Sequence, residues 1–492
     1  MTNPVCPELT AKVLDYITAH EEEIIEDLKA LSRIPSVRGD AEPGFPFGRM
    51  PAAAVEAAAD LYEKHGFSLT RRIDKGYALA NVGTAGRTLG VFCHCDVVVA
   101  DAGVWEQIDD AFDPQIKDGY LIGRGVKDNK SAVVGVLHAM NALKAAGVPV
   151  RHNIQVFLGA NEETGMEDVK NFRAENPLPD LSLVPDCEAP LCRGEKGVTH
   201  FELLCGQKFE RILGFAGGSK AGVCGSVTVT LPGDPDLKTQ LLAALEGRAD
   251  AQLSENEDGQ LLLLAKGISA HPAMPVGSVN AGWIAAEVLL KCPALGENDL
   301  AILEQVRAIL CNIKPLYFGI DSWDEVFRDL TMICTIISTE NGQIKLTCVC
   351  TFQPSFPLET IHSSVAAKCA EIGWTPSFIR HSIGFIMPED DPTIELVVDT
   401  YRQLCKARDI PKIYNVYTSN GGTYARALEN AFTIGTDVPI TRPPQWFSAG
   451  HGRVHQPDEC INVRYFLEGI LHLAMILEAV DRELDHLPSI HD

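Results

Sequence analysis

No run of about 18 apolar residues occurs anywhere in this 492-residue chain, so no membrane-spanning helix is expected. Met1 to Leu14 is largely polar and contains proline, which is not the pattern of a secretory leader, and a cytoplasmic protein is expected. Basic runs are missing too. Against a net charge of −24, no Lys or Arg cluster offers a surface to nucleic acid or to an anionic membrane, and neither is expected as a partner. The charge should mainly keep the chain soluble. The fifteen cysteines are odd in number and lie in apolar segments such as Leu346-Thr347-Cys348-Val349-Cys350, without a secreted framework, so reduced and mostly core-packed thiols are expected.

Internal repeats, low-complexity tracts and long linkers are absent as well. The length exceeds one typical domain and leaves room for a large core, so two domains are the natural expectation. Strand and helix patterns alternate to about residue 200, a region with more lone strands runs to about 380, and helical α/β character returns from Thr393. One domain inserted into another accounts for that order.

Within this frame five scattered residues have the chemistry of metal ligands. Gly90-Val91-Phe92-Cys93-His94-Cys95-Asp96 reads as an apolar strand ending in a His, with a carboxylate two residues on. Side chains at i and i+2 of an extended segment share a face, so Asp96 could accept the spare ring N–H of His94 and make it a better ligand. Taken alone, His94 could equally be a buried histidine bonded to its neighbour. Asp128 follows the glycine-punctuated turn Gly123-Arg124-Gly125-Val126-Lys127 and precedes an amphipathic stretch from Ser131 to Ala146. A helix cap and a metal-bridging carboxylate would both occupy that place.

The apolar run Ile154-Gln155-Val156-Phe157-Leu158-Gly159 leads to the adjacent acids Glu162 and Glu163, which repel one another unless a cation or proton relieves them. One could bind metal while the other moves protons; a solvated charge pair is the alternative. Asp186 comes after Leu181-Ser182-Leu183-Val184-Pro185, where a turn would be the ordinary reading. His455 lies in His451-Gly452-Arg453-Val454-His455-Gln456-Pro457-Asp458-Glu459, ahead of a helical stretch from about Val463 to Leu484.

Four of these positions follow expected strands, and open α/β sheets place ligands beyond the carboxyl ends of their strands. Two His, two Asp and one Glu form a nitrogen and oxygen set suited to zinc, with cobalt or manganese as substitutes. Cys93, Cys95 and Cys187 flank these positions and are softer alternatives. Adjacent strand residues point to opposite faces, which turns Cys93 and Cys95 away from His94.

On these residues the chain resembles the co-catalytic di-zinc metallopeptidases that include bacterial dipeptidase V, carnosinase, aminoacylase and succinyl-diaminopimelate desuccinylase. The likeness runs nearly end to end. It includes Ile34-Pro35-Ser36-Val37, Lys117-Asp118-Gly119, Gly123-Arg124-Gly125, Gly194-Glu195-Lys196-Gly197 and Gly421-Gly422-Thr423-Tyr424-Ala425. Pro46-Phe47-Gly48 and the length favour the dipeptidase V branch.

The resemblance implies an α/β fold: a catalytic domain with a mixed central sheet flanked by helices, from residues 1–195 and 385–492, and an inserted α+β lid at 196–384. It implies two divalent metal ions, one held by His94, Asp128 and Asp186 and the other by Asp128, Glu163 and His455. Asp96 would orient His94, and Glu162 would be the general base. His271, in Lys266-Gly267-Ile268-Ser269-Ala270-His271-Pro272, would reach from the lid to the scissile carbonyl once both domains enclose the substrate. Paired metals about 3.5–4 Å apart can lower the pKa of water towards ~7 and stabilise the developing oxyanion.

The chain departs from the family pattern at three places, two of which bear on substrate. The stretch Gly217-Gly218-Ser219-Lys220-Ala221-Gly222-Val223-Cys224-Gly225 lacks the usual Asn, and Cys350-Thr351-Phe352-Gln353-Pro354 has a glutamine where an arginine would grip a substrate carboxylate. Arg380, Arg442 or Arg453 could compensate. Asp128-Asn129-Lys130-Ser131 replaces the usual Asp-Asp-Lys-Gly. The sequence thus points to a metallo-dipeptidase acting on small substrates, as a monomer or homodimer. An N-acyl amino acid amidohydrolase with the same centre, or a non-catalytic relative, are the other readings.

Overall fold

The structure, a computed structural model, describes residues 5–83, 86–101, 103–219, 222–410, 414–438, 443–448 and 450–489. It divides into two compact units. Met1–Gly194, Ile386–Tyr417 and Thr423–Asp492 form the first; Glu195–Phe385 and Thr418–Gly422 form the second.

The first unit is built on a mixed sheet whose strands β1 (Ser68–Arg72), β2 (Tyr77–Val82), β3 (Thr88–His94), β4 (Asn153–Gly159), β5 (Leu181–Cys187) and β6 (Ala431–Gly435) follow one another in the order β1-β2-β4-β3-β5-β6. β1, β2 and β4 pair antiparallel, whereas β3 runs parallel to both β4 and β5, and β5 parallel to β6. From Leu89 to His94 every residue of β3 is buried. A strand covered on both faces reads as an unbroken apolar run, which is how Leu89–Cys93 reads. His94 is level with Gly159 of β4. Val91 is level with Leu183 of β5, which brings His94 and Asp186, each three residues further on, to the same end of the sheet.

Asp186 lies inside β5, a correction to the expectation that it follows the strand; pairing with β6 carries the strand on past Pro185 to Cys187. Asp128 also follows a strand and precedes a helix, but that strand is outside the main sheet. The strand before it, Tyr120–Ile122, belongs to a separate three-stranded sheet between Cys460–Asn462 and Gln115–Lys117. That small sheet ties the loop of Asp128 to the segment after His455.

The helix after Asp128 runs from Lys130 to Ala145, and its residues from Lys130 to Leu143 are all buried. The amphipathic pattern expected from Ser131 is therefore not matched by an exposed face. Helices Pro7–Ala19, Glu21–Ser32 and Val463–Glu483 pack on it as well as β3, and a helix enclosed on all sides buries its polar positions too. The helix Val463–Glu483 starts close to the expected place, where the Asn462 side chain accepts from Tyr465 N.

The second unit has an eight-stranded antiparallel sheet in the order Ala251–Glu255, Leu261–Lys266, Ser226–Leu231, Gly214–Gly218, Thr331–Glu340, Gln343–Phe352, Gly197–Cys205 and Trp374–Ser382. Burial alternates strictly along Gly197–Cys205. One face packs into an apolar core with helices Pro235–Ala244, Ala281–Leu289, Gly296–Leu310 and Leu358–Ile372. None of the fifteen cysteines is in a disulfide, and all but Cys6, Cys187 and Cys311 are buried. Among the described residues no helix is long and apolar enough to cross a membrane.

Candidate metal centre

At the carboxyl end of β3, His94 Nε2 lies 3.1 Å from Asp128 Oδ1 and 3.6 Å from Asp186 Oδ2. On the other side of Asp128, its Oδ2 lies 3.1 Å from His455 Nε2, which is also 3.1 Å from Glu163 Oε2. Two donor triads result, His94–Asp128–Asp186 and Asp128–Glu163–His455, each with its ligand atoms within 4.8 Å of one another. Asp128 belongs to both, presenting a different oxygen to each. All five residues singled out in the sequence are in the first unit and come together. His451, the other histidine of its segment, is instead paired through Nδ1 with Asp458 Oδ2 at 2.6 Å. Among the described residues no cysteine joins either triad.

Asp96 behaves differently from expectation. His94 Nδ1 is 3.0 Å from the backbone carbonyl of Asp96, while the carboxylate is 3.5 Å away. A carbonyl can only accept, so Nδ1 carries the hydrogen and Nε2 is the nitrogen left for a cation. The carboxylate instead accepts the amides of Glu162 and Glu163 at 3.1 and 3.2 Å. Two amides satisfy a buried carboxylate better than one ring N–H does. Next to it, Asp168 Oδ2 takes the amides of Ala160 and Asn161, both at 2.8 Å, and the hydroxyl of Tyr424. Four consecutive amides leading to Glu163 are thus held by two buried acids. Gly159 has to be glycine for this, since a Cβ there would sit 2.0 Å from the Tyr424 hydroxyl.

The electrostatics are those of a site short of positive charge. Burial pushes the carboxyl of Glu162 well above its usual range, with Asp186 and Glu163 adding to the effect. Burial, and then the Asp128 charge, pushes Glu163 up to about 7, and burial raises Asp186. Burial opposes the imidazolium of His455, but Glu163 and Asp128 outweigh it and raise the group to about 12. His94 is likewise raised well above its ordinary value, against burial, by Asp186 and Asp128. Asp128, between the two rings, is lowered despite its burial. Groups in this state hold protons unless cations replace them.

Three buried atoms in the same cluster, His94 Nε2, Glu162 Oε1 and Glu163 Oε1, make no hydrogen bond. Buried polar atoms of a folded protein are nearly always satisfied, and a nitrogen and oxygen donor set oriented in this way fits divalent metal ions of the zinc type.

Sequence reading missed Asp168 and Glu459, buried acids that touch the ligand-bearing loops, and saw Asn129, a buried amide, only as a departure from the family pattern. Glu459 is fully buried and pairs with Arg124, its Oε2 2.6 Å from Nη1. Its only signal in the sequence is an acid directly before the apolar strand residues Cys460 and Ile461.

His271 lies in the second unit, exposed and outside both triads. Its Nδ1 accepts the amide of Ala273 at 3.2 Å. Gln353 is buried there, and its Nε2 donates to the carbonyls of Ser322 and Arg328 at 3.3 and 2.6 Å. Arg380 and Arg453 are exposed. Arg442, and Lys220 and Ala221 of the Gly217–Gly225 stretch, lie outside the described residues.

The clustered imidazole and carboxyl groups of the first unit suit divalent cations. Residues 90–479 match the model of Peptidase family M20/M25/M40, and the chain belongs to that family and is a peptide-bond hydrolase. A Staphylococcus saprophyticus protein bearing the name "Putative dipeptidase" is 25% identical over 465 residues, covering 91% of this chain and 94% of the relative. Among solved structures, human carnosine dipeptidase 1 is 16% identical with a TM-score of 0.56, covering 96% of this chain and 100% of its own. The Saccharomyces cerevisiae di-peptidase Dug1p is 14% identical with a TM-score of 0.60, covering 97% and 99%. At these identities the two structures speak to the fold.

Proposed function

We propose that this chain hydrolyses dipeptides with the help of two divalent cations, zinc foremost and manganese or cobalt as substitutes. His94, Asp128 and Asp186 would hold one, and Asp128, Glu163 and His455 the other. Such a pair, when bound, supplies Lewis-acid polarisation of the scissile carbonyl and acidifies the attacking water.

The remaining work falls to the chain's own groups. Glu162 would accept a proton at Oε1, the buried oxygen that has no partner, and pass it to the leaving amine. Burial raises its proton affinity, which suits a group that has to keep a proton between two transfers. Asp96 would fix the backbone of Glu162 and Glu163 through their amides, and hold His94 through its carbonyl. His271 would donate from Nε2 to the tetrahedral oxyanion. With Nδ1 accepting the Ala273 amide, a neutral ring carries its hydrogen on Nε2.

The observation that carries this reading is the sharing of Asp128 between two donor triads beside an unpartnered Glu162 Oε1. A free dipeptide, in preference to an N-acyl amino acid, is supported by the dipeptidase name of the staphylococcal relatives, which align over nearly their full length. Fifteen cysteines outside disulfides suit a reducing compartment, and a cytoplasmic location is part of this reading. The test is a hydrolysis screen of the metal-reconstituted protein on dipeptides, tripeptides and N-acyl amino acids. Dipeptides should be cleaved; cleavage of acyl derivatives alone would transfer the assignment to the amidohydrolases.

A further inference from the structure

We infer that Asn129 is a positioning residue that decides which oxygen Asp186 offers to its cation, an inference that rests on the reading of the centre given above. Asn129 is 1% exposed and stands between the shared acid Asp128 and the helix Lys130–Ala145. Its side chain makes three hydrogen bonds. Oδ1 accepts the amide of His94 at 3.3 Å, and Nδ2 donates to the carbonyl of Pro185 and to Asp186 Oδ1, both at 2.8 Å. One amide therefore ties together the ends of β3 and β5, which carry His94 and Asp186, from the residue next to the third member of their triad.

That pattern needs an acceptor on one side and two hydrogens on the other, which a carboxamide has and a carboxylate lacks. An ionised Asp in this place would put a buried charge against Asp186 and leave the Pro185 carbonyl without a donor. The departure from the acid usual in similar proteins thus has a local reason in this chain. With Oδ1 engaged by Asn129, Oδ2 of Asp186, the oxygen 3.6 Å from His94 Nε2, is the one turned towards the triad. Asp186 is assigned as a one-oxygen donor. The hydrogen bonds of Asn129 reach the two donors exclusive to the first triad, His94 and Asp186, and not Glu163 or His455. Its loss should accordingly act on one cation and spare the other.

The test uses full-length wild type and Asn129→Ala, stripped with a chelator and titrated with Co2+, with calorimetry for affinity and visible absorption for donor geometry. Wild type should take up two ions. In Asn129→Ala one ion should bind about 10–100-fold more weakly, as expected when an outer-shell partner of a ligand is removed, with a shifted visible band, while the other keeps its affinity within about twofold. Two ions at wild-type affinity with a superimposable spectrum would overturn the inference. Equal losses at both ions would overturn it too, because they mark a general defect instead of a tether on Asp186. Asn129→Ser, which leaves a polar group in the space, carries the same expectation and the same refutations should the alanine variant not fold. Failure of wild type itself to bind two ions is a distinct result, and defeats the reading of the centre.

Discussion

Glu459 Oε1 accepts the amide of Asp128 at 3.1 Å, and the same oxygen takes the amides of Gly125 and Lys127 at 3.1 and 3.0 Å. The loop that presents the shared acid is therefore moulded around one carboxylate, which lies on the segment that also carries His455. A single feature of the fold couples the two triads.

Removing this carboxylate should cost stability. Glu459→Ala leaves the guanidinium of Arg124, itself 2% exposed, without its partner, and breaking a buried pair from one side costs about 3–5 kcal/mol. Urea unfolding of the two proteins would measure it, and an unchanged midpoint would contradict the role assigned here. Glu459→Gln, which keeps an acceptor oxygen for the amides, should lose less.

Glu162→Ala should separate proton transfer from metal binding. No donor triad includes Glu162, so metal stoichiometry should stay at the wild-type value while turnover falls by about 10²–10⁴-fold, the usual worth of a positioned general base. Wild-type turnover in this variant would remove the proposed base.

For His271→Ala a decrease in kcat of about 10²–10³-fold is expected, again with unaltered metal content, because the loss is that of one oxyanion donor. If only KM rises, His271 binds substrate and does not act on the transition state.

The pH dependence of stability should carry the signature of His472. Burial, reinforced by Arg408, lowers its pKa to about 3, and neither ring nitrogen has a hydrogen bond. Glu468 Oε1, 3.8 Å from Nε2, is itself paired with Arg408 at 3.0 Å. Since the folded value lies below the unfolded value of about 6.5, the unfolded chain binds more protons between the two. The contribution is fully present above about pH 6.5 and is lost as pH falls towards 3. His472→Leu should thus lose about 2 kcal/mol less than wild type between pH 7 and pH 5 in urea unfolding. Parallel losses in the two proteins would refute it.

Much of this is legible in the sequence. The apolar run into His94 and the acid pair after Gly159 stand out because a doubly covered strand has to be continuously apolar and its end is where the chain first meets a cleft. Less could be read where side chains act on distant backbone. Asp96 could be placed beside His94, but not its preference for the amides of Glu162 and Glu163, since that depends on how closely β3 and β4 finish level. Glu459 was invisible in its role because its partner Arg124 is 335 residues away. The helix Lys130–Ala145 looked amphipathic because its polar positions are real; that they are buried is decided by three other helices.

By itself the sequence determined the donor types, their attachment to apolar strands, the alternation of α/β elements and the net negative charge. These are local properties of composition and period. Tertiary structure alone decided that Asp128 faces two imidazoles at once, which oxygen of Asp186 is turned inward, and which buried acids and amides hold the ligand loops in place. Those facts depend on strand register and on hydrogen bonds between residues far apart in the chain, and no local pattern encodes a distance.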